Sequence, residues 1–443
     1  MIRFSFPSVS NRPFVRNVAT VMTGSAGAQA IGMLFAPVIT RLYGPEAFGL
    51  QSIFTSLVGV LAVLATMGYQ VAIVLPKRDA EAIGLAQLSL LIACGVGAVS
   101  GVVFGFLGTD FLELVNAETI GNLVYLIPIA MTIAVLANVL YQWLIRKRAF
   151  ALNARYTVAT MLLINIAKYC IGLVHPSAIA LILTNMFGAL LGVIFTFHGW
   201  RKSQSGKSVE PGIRSPEKVR SNLRKLAREY SDFPLFRTPQ ALASLIAQSL
   251  PLLMLAGFSG TAVAGQYSIV IAVLGMPTNL IANSVRAVFY PRINEAALNG
   301  ENVRALILRT SAALLGAGVL PFSILIFAGP ALFEFAFGSD WRKAGEYGQW
   351  MCIFFFLQFI SVPAVSAIPV LKLQGRFLIF ELVSTGLRML MLWLGFVFFG
   401  SDHAAIALFS VVGASLYCFL IVWAIRRSVD MTLGERSDSS LVS

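Results

Sequence analysis

The sequence predicts an all-α integral membrane protein with twelve transmembrane helices. Only 12% of its 443 residues are charged, whereas an average soluble domain carries about 25%. Hydrophobic residues make up 57% of the chain, and its mean hydropathy is +0.80. These apolar residues are grouped in runs long enough to cross a bilayer, which takes about 20 residues. The composition therefore excludes a soluble multidomain enzyme, which needs more surface charge, and an intrinsically disordered chain.

The apolar runs place the helices in order along the chain. In the first half they cover residues 18–40, 47–75, 82–108, 121–145, 155–174 and 177–198. In the second half they cover residues 235–257, 263–290, 304–329, 346–371, 377–400 and 403–425. We expect a cytoplasmic N-terminal segment (1–17), a six-helix bundle (18–198), a basic cytoplasmic linker (199–234), a second six-helix bundle (235–425) and a cytoplasmic tail (426–443).

Most of the 33 lysines and arginines fall in loops on one side of the predicted membrane. The positive-inside rule assigns that side to the cytoplasm, and an even number of helices places both termini there. The opposite loops are short, which argues against a membrane glycosyltransferase or polymerase. Because the basic residues lie in short loops between apolar runs, nucleic-acid binding is not expected either. We therefore do not expect an enzyme.

The basic linker contains a predicted amphipathic helix. Ser215 and Pro216 have the residue types of a helix N-cap and first turn, and Leu223, Leu226 and Tyr230 follow at helical spacing among basic residues. Two interpretations stay open: a helix lying on the inner leaflet, or a solvated linker. The nearby sequence at 206–208, Gly-Lys-Ser, lacks the first glycine of a phosphate-binding loop. The four cysteines lie far apart, so they do not indicate a metal site. Since the phosphate-binding loop is also incomplete, no nucleotide or other cofactor is expected.

The two halves share an internal repeat. The pattern G-x4-G-x2-S-I-x5-G begins at Gly44 and again at Gly260, near the start of the second and eighth helices. Six helices per half give the two bundles the same orientation, so a pseudo-two-fold axis along the membrane normal is expected. Transporters built from such parallel repeats place the substrate between the halves.

The repeat also aligns two sets of polar residues. In the second predicted helix they are Ser52, Ser56, Gly59, Thr66 and Gln70. In the eighth they are Ser268, Gly275, Asn279 and Arg286, with Asn283 beside them. One interpretation is that the two stripes are walls of a water-filled cavity. Packing of helices through small residues is the alternative, and it explains the glycines and serines better than Gln70 and the asparagines.

Two cations are predicted to lie deep in the membrane. Lys168 is 13 residues beyond Arg155 and Arg388 is 12 residues beyond Arg376, which places them about 20 and 18 Å deep. A buried cation costs on the order of 3 kcal/mol or more unless it meets water or a partner. A structural ion pair is one explanation, and a cationic cavity for an anionic substrate is the other. Arg286 and Arg237 lie nearer the inner mouth, where they either join this site or extend to lipid headgroups.

Three segments resemble bacterial polysaccharide-biosynthesis membrane proteins, the O-antigen or Wzx-type flippases. They are TRLYGPEAFGLQSIF (40–54), YSDFPLFRTPQALASLIAQSLPLLMLAGF (230–258) and AVFYPRINEA (287–296). Chain length, helix number and the repeat agree with that family. The resemblance implies the fold of the multidrug/oligosaccharidyl-lipid/polysaccharide exporters, in which two six-helix bundles form a V around a central cavity.

The resemblance also implies a substrate and a location. The substrate would be an undecaprenyl-pyrophosphate-linked oligosaccharide of O-antigen (lipopolysaccharide), capsule or exopolysaccharide, moved across the bacterial inner membrane by alternating access. Its binding residues would be Lys168, Arg388, Arg286, Asn279, Asn283, Gln70 and Arg237. Membrane lipids and other polysaccharide assembly proteins are the further expected partners. The alternative is an ion-coupled multidrug antiporter of the same fold, although the first predicted helix lacks the carboxylate expected of one.

Overall fold

The computed structural model describes residues 12–114, 118–204 and 216–440, and every regular element in these ranges is helical. The first half contains α1 (Arg12–Thr66), α2 (Tyr69–Ala72), α3 (Asp79–Leu114), α4 (Ile127–Arg146), α5 (Phe150–Val174), α6 (Ala178–Gln204) and α7 (Pro216–Glu229). The second half contains α8 (Thr238–Ser259), α9 (Thr261–Leu298), α10 (Val303–Phe337), α11 (Arg342–Ile360), α12 (Val362–Ala367), α13 (Gln374–Phe399) and α14 (Asp402–Ser440). The predicted N-cap Ser215 and the sequence at 206–208 lie outside the described residues.

The described ranges contain 11 helical segments that are long and apolar enough to cross a membrane. The first, Thr23–Thr66, has 44 residues and is interrupted at Gly44, where φ is 71° and ψ is 171°. At 1.5 Å per residue it is about 66 Å long, twice the thickness of a roughly 30 Å hydrocarbon core. The all-α membrane class is therefore confirmed, while the number of twelve crossings stays a prediction.

The second predicted helix ends earlier than expected. Thr66 is the last residue of α1, because Met67 (φ 44°) and Gly68 (φ 73°) turn the backbone into the left-handed region. Gln70 lies beyond this turn, on the short helix α2. The prediction that Gln70 continues the polar face of Ser52 is therefore wrong.

The predicted helix at 346–371 is also divided. It breaks at Ser361 into α11 and α12, with Pro363 in the first turn of α12. Proline has no N–H to donate to the carbonyl four residues earlier, so one helical hydrogen bond is missing at this division, although Ser339–Ala367 is still long and apolar enough to be one candidate span.

The chain forms two compact units. The first contains the residues up to Tyr43 together with Leu50–Ser249. Its core lies between α2, α3 and α4. The fully or nearly fully buried side chains there include Tyr69, Leu85, Met131, Val135, Trp143 and Leu226.

Helix α7 belongs to this core through its apolar side. Leu226 is 4% exposed and packs on Gly84 of α3, and the Tyr69 hydroxyl donates to the Ala227 carbonyl at 3.1 Å. Arg224 and Arg228 are exposed on the other side of the helix. The predicted amphipathic helix is present, but protein and not lipid covers Leu226. Neither the leaflet-bound helix nor the solvated linker describes this arrangement fully.

Hydrogen bonds from Arg146 hold the loop between α2 and α3 in place. Its Nη1 donates to the carbonyls of Ile73 (3.0 Å) and Pro76 (2.6 Å), and its Nε and Nη2 both donate to Asp79 Oδ1 (3.1 and 3.0 Å). The Arg146 side chain is only 9% exposed. Four charge-assisted hydrogen bonds therefore hold the first turn of α3 against the end of α4.

The second unit contains Gly44–Gly49 and Leu250–Ser443. Within it, both copies of the repeat begin with a glycine in the same conformation. Gly44 has φ 71° and ψ 171°, and Gly260 has φ 89° and ψ 167°. This backbone region is open to glycine and strained for other residues, and it allows a new helix to start in a new direction.

The repeat also produces a reciprocal close contact between two helix starts in this unit. A Cβ atom added to Gly49 would lie 1.8 Å from the Thr261 carbonyl oxygen. A Cβ atom added to Gly265 would lie 1.8 Å from the Pro45 carbonyl oxygen. Pro45 and Thr261 are themselves one repeat apart, as are Gly49 and Gly265. Equivalent backbones thus touch each other through equivalent glycines, which supports the repeat seen in the sequence.

An ion network joins α11 to α14 in the second unit. Asp402 Oδ2 accepts hydrogen bonds from Lys343 Nζ and the Tyr347 hydroxyl, each at 2.6 Å. Asp402 Oδ1 accepts from the His403 backbone N–H at 2.9 Å, and His403 Nε2 lies 3.2 Å from a Glu346 carboxylate oxygen. These bonds connect the beginnings of the two helices, and Asp402 at their centre is only 13% exposed.

Candidate functional site

Arg388 of α13 places a guanidinium between aromatic rings. Its carbon Cζ lies 5.4 Å from the centre of the Phe354 ring and 5.7 Å from that of Phe409. Its Nε donates to the Ser384 carbonyl at 3.3 Å and its Nη2 to the Thr385 hydroxyl at 3.2 Å. These rings stabilise the positive charge through cation–π contact and fix the orientation of the planar guanidinium.

The Arg388 guanidinium is only partly satisfied by its surroundings. It has five N–H donors, and two have acceptors in the described chain. Across the described ranges it forms no ion pair; Glu381, the carboxylate nearest to it on α13, makes none either. No carboxylate in the described chain thus lies within 4.0 Å of the guanidinium, although Glu381 is near enough to attract it electrostatically. The remaining donors are able to bind an anion with two oxygens.

Close packing sets the position of this guanidinium. A Cβ atom on Gly413 of α14 would lie 2.5 Å from the Phe354 ring and 3.2 Å from Arg388 Cδ. Phe354 also lies 5.6 Å from the Tyr417 ring, whose hydroxyl accepts from Gln358 Nε2 at 3.0 Å. Three helices, α11, α13 and α14, thus contribute to the surroundings of one cation.

Lys168 lies in the first unit, on α5. Its backbone carbonyl accepts from the hydroxyl of buried Tyr43 at 2.7 Å, and Gly172, one turn further, packs directly on the Tyr43 ring. Its side chain is partly exposed, and in the part of the chain that the structure describes no acceptor or carboxylate contacts its ammonium. The Tyr43 contact therefore holds the helix that carries Lys168 and leaves the charge uncompensated.

Asn279, Asn283 and Arg286 form an exposed strip on α9. They follow at spacings of four and three residues, which places them on one helix face. Arg286 Nη1 donates to Asn283 Oδ1 at 3.4 Å. The later part of the predicted stripe is therefore exposed on one face, with Pro277 inside the helix just before it, whereas Gly275 is buried.

The other two predicted residues lie outside long helices. Arg237 ends a single π-helical turn, Phe233–Arg237, and its exposed side chain donates to Gln240 Oε1 at 3.4 Å. Gln70 lies on α2, and its Oε1 is buried without a hydrogen-bond partner in the described chain. Gln70 thus has an unsatisfied acceptor, but not on the helix where the sequence placed it.

The predicted residues are divided between the two units. Lys168, Gln70 and Arg237 belong to the first, whereas Arg388 and the α9 strip belong to the second. The sequence analysis missed Phe354 and Phe409, because no spacing rule links three separate helices. It also missed Gln240, Ser244 and Gln248 of α8, whose helical spacing was visible in the sequence.

Comparison with known proteins identifies the family. Residues 14–297 match the family described as polysaccharide biosynthesis protein. The chain belongs to this family. The resemblance noted in the sequence is thereby confirmed, although the match ends before Arg388 and its aromatic partners.

One curated protein similar to this chain is named as a transport protein. The succinoglycan biosynthesis transport protein ExoT of Rhizobium meliloti (strain 1021) is 21% identical over 375 residues, which cover 84% of this chain and 71% of ExoT. This similarity extends along most of the chain.

Solved structures establish the fold of this family member. An inward-facing multidrug resistance MATE family transporter of the MOP superfamily matches with a TM-score of 0.70 and 13% identity, covering 94% of this chain and 98% of that one. The lipid II flippase MurJ, in an inward closed conformation, matches with a TM-score of 0.66 and 13% identity, covering 93% and 90%. The chain is a multi-pass membrane protein with the fold of these transporters.

Proposed function

We propose that this protein flips an undecaprenyl-pyrophosphate-linked oligosaccharide from the inner to the outer leaflet of a bacterial inner membrane. The observation that carries the proposal is the Arg388 guanidinium, which lies in a candidate membrane-spanning helix and forms no direct ion pair within the described chain. The polysaccharide biosynthesis family, the transport role in the name of ExoT and the flippase role in the name of MurJ support the same function. Arg388 and Lys168 bind the pyrophosphate or an acidic sugar in this proposal.

The two cations suit different parts of such a headgroup. Arginine binds two phosphate oxygens with a planar fork, and the rings of Phe354 and Phe409 hold that plane in place. Lys168 supplies a compact charge without directional demand. In a medium of low dielectric constant, both attract an anion more strongly than they would in water.

Further polar residues complete the proposed substrate site. Asn279, Asn283 and Arg286 present amide and guanidinium groups along α9 that match sugar hydroxyls. Arg237, near the start of its span, and Gln70, on the short helix α2, extend the site. The lipid tail stays in the bilayer during transport, so only the headgroup needs polar contacts.

Alternating access between two six-helix bundles completes the proposed mechanism. It requires twelve crossings, with Thr23–Thr66 crossing twice through the break at Gly44, a V-shaped arrangement and both termini in the cytoplasm. Cysteines introduced near Glu118 and Asp340 should react with an impermeant reagent from outside, and cysteines near Lys207 and Arg436 should not. Labelling from outside at position 207 would overturn the topology.

An ion-coupled multidrug antiporter is the second candidate. The match to a multidrug resistance MATE family transporter favours it. A carrier of organic cations needs an anionic site, whereas Lys168 and Arg388 provide the opposite charge. Purified protein that binds a hydrophobic cation and does not bind a lipid-linked sugar would favour the antiporter.

Charge substitutions test the proposed function in cells. In a strain lacking its own flippase, Lys168→Arg and Arg388→Lys should keep partial surface polysaccharide, with the larger loss for Arg388→Lys because lysine lacks the fork. Lys168→Glu and Arg388→Glu should abolish it, since each places a carboxylate where the anionic headgroup binds. Membrane protein level is the control. Normal surface polysaccharide from the double glutamate variant would refute the cationic site.

A further inference from the structure

Helix α8 carries a polar stripe that has no role in the site described so far. Gln240, Ser244 and Gln248 follow at spacings of four residues, so they lie on one face, and all three are exposed. Arg237, which already belongs to the proposed site, donates to Gln240 Oε1 at 3.4 Å at the start of the stripe. From Gln240 to Gln248 the stripe rises by eight residues, or about 12 Å of helix, inside the candidate span Phe233–Ser259.

The stripe is not the lipid-facing side of α8. Ile246, 42% exposed, lies on the opposite side of the helix, since two residues correspond to about 200° of rotation from Gln248. An apolar exposed side suits hydrocarbon. Amide groups at membrane depth have no partner in hydrocarbon, so they face water or protein. The described structure leaves the stripe uncovered by protein, and the stripe therefore lines an aqueous path.

Hydrogen bonds within the stripe leave groups available for a ligand. Gln240 accepts through Oε1 from Arg237, so its two amide N–H groups have no acceptor in the described chain. Gln248 donates through Nε2 to the carbonyl (3.1 Å) and the hydroxyl (3.2 Å) of Ser244, so its Oε1 has no donor there. Residues 238–259 contain no Asp, Glu, Lys or Arg. The stripe thus offers both donors and acceptors and no net charge.

We infer that this stripe binds the uncharged sugar residues of the glycan, through their hydroxyl groups. A sugar hydroxyl both donates and accepts, which matches the free donors of Gln240 and the free acceptor of Gln248. The inference rests on the proposed function and divides its work: Lys168 and Arg388 bind the phosphate, and α8 joins the α9 strip in binding the sugar. The polar residues of these two helices, and not the two deep cations, then determine which neutral glycan is accepted.

Two probes separate these roles in the full-length protein in nanodiscs. One is undecaprenyl pyrophosphate, and the other is the same lipid carrying a short oligosaccharide of neutral hexoses. The double variant Gln240→Leu/Gln248→Leu should bind the glycan-bearing lipid about tenfold more weakly, because two hydrogen bonds are lost. It should bind undecaprenyl pyrophosphate with unchanged affinity. Gln374→Leu, at the exposed start of α13, is the matched control and should change neither affinity.

The outcomes distinguish the stripe from the proposed function itself. Equal weakening for both probes, or no weakening for either, would overturn the role of the stripe. Wild-type protein that binds neither probe would refute the proposed function, and the role of the stripe would be refuted with it.

Water access tests the stripe independently of any substrate. In a chain with its four native cysteines replaced, Gln248→Cys should react with a membrane-impermeant, water-soluble thiol reagent applied to both sides of the membrane, and Ile246→Cys should react at least tenfold more slowly. Equal reaction rates would contradict the assignment of the two faces.

Discussion

The reciprocal contact of Gly49 and Gly265 gives the sharpest prediction about stability. Replacing either glycine by alanine places a Cβ atom 1.8 Å from a carbonyl oxygen, whereas real Cβ contacts essentially never fall below 3.0 Å. The backbones at this contact must therefore part by at least about 1.2 Å. A gap of about 0.5–1 Å already removes a quarter to a half of the dispersion attraction, and overpacking of this kind costs about 1–3 kcal/mol.

Reversible unfolding in mixed detergent micelles measures this effect. Gly49→Ala and Gly265→Ala should each lower the free energy of unfolding by about 1–3 kcal/mol. The double variant should lose less than the sum, because the first alanine has already separated the same two backbones. Gly59→Ala is the control: nothing lies within 4 Å of its Cβ position, and alanine favours a helix by about 0.5–1 kcal/mol. Equal stability of Gly49→Ala and Gly59→Ala would refute the close contact.

Three further substitutions test separate parts of the fold and site. Asp402→Asn weakens the bonds to Lys343 and Tyr347 and should lower the free energy of unfolding by about 1–3 kcal/mol in the same assay. Glu334→Gln is the control: it breaks a more exposed ion pair and should cost under about 1 kcal/mol. Gly413→Ala should displace the Phe354 ring beside Arg388 and weaken the binding of undecaprenyl pyrophosphate at least fivefold. Gly386→Ala has open space around it and should leave this binding unchanged. Leu226→Ala should release α7 and speed limited proteolysis of the linker; an unchanged cleavage rate would contradict the docking of α7 on α3.

Hydropathy predicted the helices because a membrane span needs a long apolar run, and that property is local. It did not predict where a span breaks. The positive φ of Met67, which ends α1 and moves Gln70 onto α2, is not encoded by any residue preference. Pro363 removes a backbone donor at the division between α11 and α12, but Pro251 and Pro277 lie inside continuous helices, so a proline alone did not mark the break.

The sequence predicts a depth for Arg388 but does not predict its surroundings. Phe354 and Phe409 come from α11 and α14, and only packing brings them to α13. The reciprocal contact of Gly49 and Gly265 was predictable only in part. The repeat was visible in the sequence, but the contact between its two copies is visible only in the structure. The α8 stripe had a clear signal in the spacing of Gln240, Ser244 and Gln248.

The central claim is that uncompensated cations bind the anionic headgroup during transport. Its most direct measurement is the flipping rate of labelled undecaprenyl-pyrophosphate-linked oligosaccharide in proteoliposomes containing the purified protein. Wild-type protein should move the lipid between leaflets, Lys168→Arg should keep part of the rate, and Lys168→Glu with Arg388→Glu should reduce it to that of empty liposomes. A double glutamate variant that flips the lipid at the wild-type rate would contradict the account.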